Sequence, residues 1–295
     1  MTSRKLDFAI FGNTFQTKKS AAIRDVLASL AAHGAGVVID RDYHDFLVGE
    51  GLIGKGQATV FDGDAFEADF VVSMGGDGTF LKAAARVGTK DIPVIGVNMG
   101  RLGFLADVGP NEFDDTIDAL YRGCYTIENR VVIKVETDGE PLAGCDCALN
   151  DVAILKRDNA SMISIHTSVN GEYVTTFQAD GLVVSTPTGS TAYSLSNGGP
   201  IIVPGTHVLA LTAVAPHSLN IRPIVISDES EITLAVESRS HNFLVAVDGR
   251  SEKCCDVTRL TLRKAPYSAK IVKRSGTRYF DTLRHKMMWG KDVRM

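Results

Sequence analysis

The sequence predicts an α/β N-terminal domain built on a parallel sheet, then an antiparallel all-β domain, with a C-terminal helix returning to the first. Three observations carry this. Up to about residue 125, short apolar runs alternate with segments of helical periodicity, the rhythm of a parallel sheet with helices on its faces. Beyond about residue 130 the segments become short and period-two, punctuated by Asn170-Gly171 and Asp248-Gly249, both strong hairpin signals. The chain has 295 residues, more than one small core needs.

The elements follow in order. "LDFAIFG" is an apolar run ending in Gly12, and "SAAIRDVLASLAAHG" has helical spacing and stops at Gly34. "GVVID" is a short strand. "ADFVVSMGG" is a buried strand, and "TFLKAAARVG" a helix closed by Gly88. "IPVIGVN" and "EFDDTIDALYRG" repeat the strand–helix pair. In the second half, "SMISIHTSVNGEYVTTF" and "NFLVAVDGRSEK" read as hairpins, and "EITLAVES" and "RLTLRKA" as alternating strands. The expected domains are 1–130, rejoined by 275–295, and 131–274.

Composition narrows the function. At 44% hydrophobic and 22% charged residues the chain is an ordinary globular protein. A net charge of −4 argues against nucleic-acid binding, which needs a basic footprint. No run approaches the roughly 18 apolar residues of a membrane span. The N-terminus lacks the apolar core of a signal peptide, so a cytoplasmic protein is expected. The five cysteines, a single Cys124 followed by a C-x-C and a C-C, match no zinc pattern and read as free thiols.

The densest motif is "GGDGT", Gly75 to Thr79, between a strand and a helix. Gly75, Gly76, Gly78 and Thr79 suit a phosphate cradle, since a glycine-rich turn at a helix start offers backbone N–H groups to an anion. Asp77 at its centre would repel that anion. The conflict is resolved if the N–H groups serve a phosphate while the carboxylate takes the proton of an attacking hydroxyl. The spacing excludes a P-loop and the dinucleotide fingerprint. Further along α-helical spacing, Lys82 is placed to reach phosphate and Arg86 to lie on a solvated face. A second motif, "ADGLVVSTPTGSTAYSLSNGGPIIVP", packs Ser, Thr and Gly densely. Its hydroxyls from Thr188 to Ser196 suit a sugar, base or phosphate, and Tyr193 a flat ring; the competing reading is a polar surface loop. His217 in "PHSL" is expected to be structural.

These residues together carry a resemblance. GGDGT, "NMGRLGFLAD" at 98–107, Asn150-Asp151, "ADGLVVSTPTGSTAYSLSNGGPI", "PHSL" and the terminal "LRHKMMWG" resemble the NAD kinase family along nearly the whole chain. The resemblance implies phosphorylation of the 2′-hydroxyl of the adenosine ribose of NAD by ATP, giving NADP, with Mg²⁺ accompanying the ATP. It implies Asp77 as catalytic base, with Gly78 against the substrate and Phe104 near the adenine. Asn150, Asp180, Thr191, Ala192, Tyr193 and Ser196 are implied substrate contacts, as is the backbone of Ala215, often across a subunit interface. A homodimer or homotetramer is implied. Two departures stand out. The family's Asn-Glu pair is here Asn-Asp, which leaves the contact of Asp151 open. Its Gln after D-G is here Arg250, which fits either a phosphate contact or an exposed hairpin residue. The alternatives are a lipid or sugar kinase sharing only the GGDGT turn, and a non-catalytic dinucleotide sensor.

Overall fold

The computed structural model describes residues 5–15, 19–100, 102–158, 161–274, 276 and 278–290; positions 275, 277 and 291–295 of the expected returning segment lie outside these. The chain forms two compact units. One runs to Asn129 and resumes at Ala269; the other is Arg130–Ser268.

The first unit opens with β1 (Asp7–Gly12), α1 (Ser20–Ala32), β2 (Gly36–Asp40), α2 (Arg41–Gly49) and β3 (Thr59–Phe61). It continues with β4 (Phe70–Gly75), α3 (Asp77–Val87), β5 (Val94–Asn98), α4 (Phe113–Tyr121) and β6 (Tyr125–Arg130). The second unit holds β7 (Ile133–Thr137), β8 (Cys147–Ala148), β9 (Asp151–Lys156), β10 (Ile163–Val169), β11 (Glu172–Ala179) and β12 (Gly181–Ser185). After α5 (Tyr193–Ser196) come β13 (Val208–Val214), β14 (Ile224–Ser227), β15 (Ile232–Glu237), β16 (Asn242–Val247), β17 (Arg250–Cys255) and β18 (Arg259–Lys264). The chain then re-enters the first unit with β19 (Ala269–Arg274) and α6 (Tyr279–Met287).

The first unit's sheet has the order β3-β2-β1-β4-β5-β19-β6, and the pairs from β3 through β19 are parallel. Helices cover parallel sheets on both faces, so their central strands read as unbroken apolar runs. Every residue of β4 and β5 is accordingly buried. α1 meets the sheet with Ile23, Val26 and Leu30, a single stripe at spacings of three and four. Each such side chain contributes about 1.5–3 kcal/mol on burial. The chain progresses outward from β1 to β3 and then returns to β4 on the other side of β1. That reversal is a switch point, and the loops at the carboxyl ends of such strands are where open α/β sheets take ligands. GGDGT follows β4 there.

The second unit stacks two six-stranded sheets, β11-β10-β15-β18-β7-β8 and β14-β13-β12-β9-β16-β17, whose paired strands are antiparallel. Ile163, Ile165, Phe177, Leu234 and Leu260 from one sheet share a core with Val152, Ile154, Leu182, Leu211 and Phe243 from the other. Both expected hairpins form. Asn170-Gly171 and Asp248-Gly249 have φ of 52° and 80°, and 46° and 79°, the doubly positive type I′ turn favoured in two-residue hairpins.

Several elements depart from the expected list. α2, β3 and β6 carry no strong periodic signal and form against the sheet already built. β19 pairs with β5 through Ile271 and Val94 in the first sheet, whereas the sequence assigns residues up to 274 to the second domain. Its "AKIVKR" holds only an apolar pair between charges, and burial of Ile271 and Val272 in the first unit decides its place. Among the described residues no helix is long and apolar enough to cross a membrane.

Candidate functional site

β4 ends at Gly75, Gly76 adopts an extended conformation, and α3 begins at Asp77. A Cβ on Gly75 would fall 2.2 Å from the Thr79 hydroxyl oxygen, so the turn closes only with glycine there. Gly78 is exposed, Asp77 half-buried and Thr79 buried. The backbone beside Asp77 is thus accessible, as a phosphate cradle demands.

The Asp77 carboxylate is not free. Its Oδ1 accepts the backbone N–H groups of Leu105 and Ala106 at 3.0 and 2.9 Å, and its Oδ2 accepts that of Phe104 at 2.9 Å. A carboxylate offers about four lone-pair sites, so among the described residues one is left without a donor, on Oδ2. Asp77 therefore ties the 103–106 turn to the start of α3 and keeps room for one more donor. Gly103 makes this possible: a Cβ there would sit 2.0 Å from Asp77 Oδ1. Phe104 projects from the same turn, half-buried, its ring 6.4 Å from Tyr279 and 5.4 Å from the Lys286 ammonium.

Of the two cations on α3, Lys82 is exposed and makes no ion pair among the described residues. Arg86 corrects the expectation of a solvated face. It pairs with Asp64 and, at 3.5 Å, with Asp40, donates to the Gly63 carbonyl, and lies 5.5 Å from the Phe11 ring centroid. Those partners come from β1, the end of β2 and the loop after β3, which only the folded sheet brings beneath the helix.

In the second unit a second aspartate repeats the arrangement. Asp248, in the β16–β17 hairpin turn, accepts backbone N–H groups from Leu149 at 2.9 Å, Asn150 at 2.8 Å and Asp151 at 3.2 Å. The Asn150-Asp151 pair is therefore presented by a residue that sequence reasoning assigns only to a turn; its signal was the D-G dipeptide, whose side chain has a second use. Asp151 is 6% exposed. Burial and the neighbouring Asp248 charge push its carboxyl up to about 7, although the Tyr193 N–H holds it down. Burial also raises Asp248, opposed by its three N–H donors and by Arg250. With one donor against three, Asp151 is the partner that holds a proton more readily. Arg250 is exposed and faces Val247 across the hairpin.

The first part of the Ser/Thr-rich stretch is no surface loop. Every residue from Gly181 to Ser190 is buried. Many of its hydroxyls are used internally, which narrows those left to meet a sugar, base or phosphate. Thr186 Oγ1 donates to the Leu149 carbonyl at 2.6 Å, Ser190 Oγ to that of Pro187 at 2.7 Å, and Ser194 Oγ bonds Thr212 at 3.0 Å. Thr188 accepts from buried Arg130 at 3.1 Å. Buried hydroxyls are mostly paired, and here the pairing builds the bend after β12; Ser185 Oγ, at the end of that strand, has no partner among the described residues. Gly189 passes so close to Asn150 that a Cβ would meet its carbonyl oxygen at 2.0 Å. Thr191 and Ala192 are left half-buried, and Tyr193 and Ser196 exposed, beside the Asn150-Asp151 pair.

The remaining candidates lie at the other end of β12. Asp180 pairs with Lys156 at 2.7 Å, and its N–H donates to the Val214 carbonyl, next to Ala215. Ala215 has φ 44°, a left-handed conformation that a non-glycine residue rarely adopts and that often marks a functional position. Since Ser185 pairs with Asp151 and Gly181 with Leu155, Asp180 lies five residues along from the Asp151 end, about 17 Å at the usual strand rise. The structure thus groups Asn150, Asp151, Thr191, Ala192, Tyr193 and Ser196 at one end and Asp180 and Ala215 at the other. His217, exposed, donates its N–H to the Gln178 carbonyl. All five cysteines are free.

Family models match both halves of the chain: the ATP-NAD kinase N-terminal domain over residues 57–125 and the ATP-NAD kinase C-terminal domain over 149–274. An NAD kinase of Bacteroides fragilis is 57% identical, covering 98% of this chain and 100% of its own. A crystal structure of an Archaeoglobus fulgidus NAD kinase in complex with ATP is 25% identical with a TM-score of 0.74, covering 96% of this chain and 99% of its own. Yeast NADH kinase, crystallised with NADH, shares the fold at a TM-score of 0.87 and 21% identity, with coverage of 100% and 91%.

Proposed function

The chain belongs to the NAD kinase family and has its activity, phosphorylation of NAD to NADP with ATP; we propose that Asp77 is the general base of that transfer. Its carboxylate takes the proton of the adenosine-ribose 2′-hydroxyl, the freed oxygen bonds the γ-phosphorus of ATP, and the bond from that phosphorus to the β–γ bridging oxygen breaks, releasing ADP. The observation that carries this is the acceptor site left on Asp77 Oδ2 once three N–H groups are satisfied. Those three bonds also fix the carboxylate, and a fixed base costs no reorganisation when the hydroxyl arrives.

The backbone from half-buried Gly76 to exposed Gly78, with Gly75 and Thr79 closing the turn and Lys82 beyond it, takes phosphate oxygens. Phe104 lies by the adenine. In the second unit Asn150, Asp151, Thr191, Ala192, Tyr193 and Ser196 hold the dinucleotide, with Arg250 offering a guanidinium to a phosphate. Mg²⁺ enters with ATP and, when bound, neutralises charge on the phosphates. The turn's donor set fits this: its one carboxylate already holds three N–H groups, and Mg²⁺ keeps water and phosphate ligands rather than requiring a protein cage.

We further assign a homodimer or homotetramer. One group of expected contacts lies about 17 Å along β12 from the other, and the family resemblance puts the Ala215 contact across a subunit interface; on that basis Asp180 and Ala215 serve the ligand of a neighbouring subunit. Leu219, 93% exposed, and Val225 on the edge strand β14 are apolar surface that such an assembly would cover.

Mass spectrometry of the purified chain with NAD, ATP and Mg²⁺ tests the base. The wild type yields NADP, while Asp77→Asn loses about 10²–10⁴-fold in turnover. A loss under about tenfold from a folded variant would remove Asp77 from that role.

A further inference from the structure

Asp107, directly after the turn held by Asp77, forms an ion pair with Lys273 of β19 in which both side chains are nearly sealed from solvent, 9% and 10% exposed. We propose that Lys273 and Asp107 are positioning residues: together they pin the 103–106 turn and, through it, the Asp77 carboxylate. This rests on the reading of Asp77 as base.

Three features place the pin. First, the turn is held at its far side by the backbone: Val108 bridges Val97 of β5, and the Val108 N–H donates to Gly96 at 3.0 Å. Second, Gly96 opens the space that the turn occupies. A Cβ there would lie 2.5 Å from the Leu105 carbonyl oxygen and 2.7 Å from Ala106 Cα. Third, Ile271 pairs in parallel with Val94, so two residues on Lys273 runs beside Gly96. Gly96 admits the turn, and Lys273 on the adjoining strand reaches the carboxylate that follows it. The Lys273 carbonyl also accepts from Thr126 Oγ1 at 3.4 Å, which ties β19 towards β6.

Stability alone does not account for this pair. Desolvation of two buried charges offsets most of their attraction, and apolar residues of similar volume commonly replace such a pair without loss. An ion pair does fix geometry: an ammonium and a carboxylate meet in one arrangement, whereas two aliphatic chains slide. Among the described residues, the turn supplies every N–H donor that Asp77 uses. Displacing a catalytic group by about 1 Å can cost a hundredfold in rate.

The experiment compares the full-length wild type with Lys273→Met, Lys273→Arg and the double variant Lys273→Met/Asp107→Leu, reading Tm, kcat, both KM values and amide hydrogen exchange. Lys273→Met leaves Asp107 buried without its partner and lowers Tm. The double variant restores Tm yet keeps kcat about ten- to a hundredfold low with KM for NAD and ATP within about threefold, and its Phe104, Leu105 and Ala106 amides exchange faster. Lys273→Arg, which keeps the charge, retains most of that protection and of kcat. Wild-type kcat in the double variant, or unchanged exchange at 104–106, overturns the pin. Asp77→Asn is measured alongside. If it keeps full turnover while the double variant still loosens the turn, the base reading falls and the pin stands.

Discussion

The Asp248 carboxylate holds the backbone N–H of Asn150 at 2.8 Å, and with those of Leu149 and Asp151 it binds three consecutive amides. Asp77 does the same in the first unit, to Phe104, Leu105 and Ala106. Each unit therefore presents its candidate residues from a chain segment gathered on one aspartate. Consecutive amides form a concave donor array, and a carboxylate in it replaces the water or anion that would otherwise fill it.

Removing Asp248 should loosen that segment. Asp248→Ala strands three amides and places Ala at φ 46°. We expect a loss of about 3 kcal/mol, or a fall in Tm of about 6–12 °C, with a raised KM for NAD. Asp248→Asn, which tolerates the left-handed conformation and retains an acceptor oxygen, should lose less. Thermal unfolding and steady-state kinetics of the two variants check this.

Gly103→Ala should separate chemistry from folding. The new methyl carbon would overlap Asp77 Oδ1 at 2.0 Å, so the turn must shift away from the carboxylate. A drop in kcat of about tenfold or more is expected, with a far-ultraviolet circular dichroism spectrum like the wild type's. Unchanged kcat would mean that the turn relaxes without moving Asp77.

Asp151 gives a pH dependence of known sign. Its folded value, about 7, lies above the ordinary 3.8. Below pH 3.8 both folded and unfolded chains are protonated and the contribution to stability is fully present. Between there and about 7 the unfolded chain releases a proton that the folded chain keeps, so stability falls as pH rises, and the fall is complete above 7. Asp151→Asn removes this slope. Denaturant unfolding at pH 5 and pH 8 should show the variant gaining on the wild type at the higher pH, within a ceiling of about 4 kcal/mol over the whole window.

Subunit complementation tests the division along β12. Asp180→Ala and Tyr193→Ala alter opposite ends of that strand, and each alone should lose activity. Mixed after dissociation, the two should recover up to about a quarter of wild-type turnover, because hybrid assemblies then contain sites with both ends intact. No recovery from a mixture shown by native mass spectrometry to contain hybrids would place both ends at one chain's own site.

Much of this architecture follows from local chemistry. Buried parallel strands must be apolar throughout, which is why "FVVSMG" and "VIGVN" are legible as β4 and β5. A type I′ two-residue hairpin needs positive φ twice, so Asn170-Gly171 and Asp248-Gly249 announce their turns. GGDGT is legible as a strand-to-helix turn from its run of glycines after a buried strand, of which Gly75 meets a steric demand within five residues, packed against Thr79. α2, β3 and β19 were not legible, because their place depends on a sheet surface built by distant segments.

The sequence by itself determined the α/β and all-β halves, the hairpin positions, the family and Asp77 as the residue to examine. Each rests on short-range pattern or on a motif read as a string. Tertiary structure alone decided what the side chains do. It turned the hydroxyls of Thr186, Ser190 and Ser194 inward, tied Arg86 to Asp64, joined Asp248 to Asn150 across 98 residues, and set Lys273 against Asp107 across 166. A hydrogen bond or ion pair depends on atoms meeting within about 3 Å, and for residues so far apart in the chain only the completed fold brings that about.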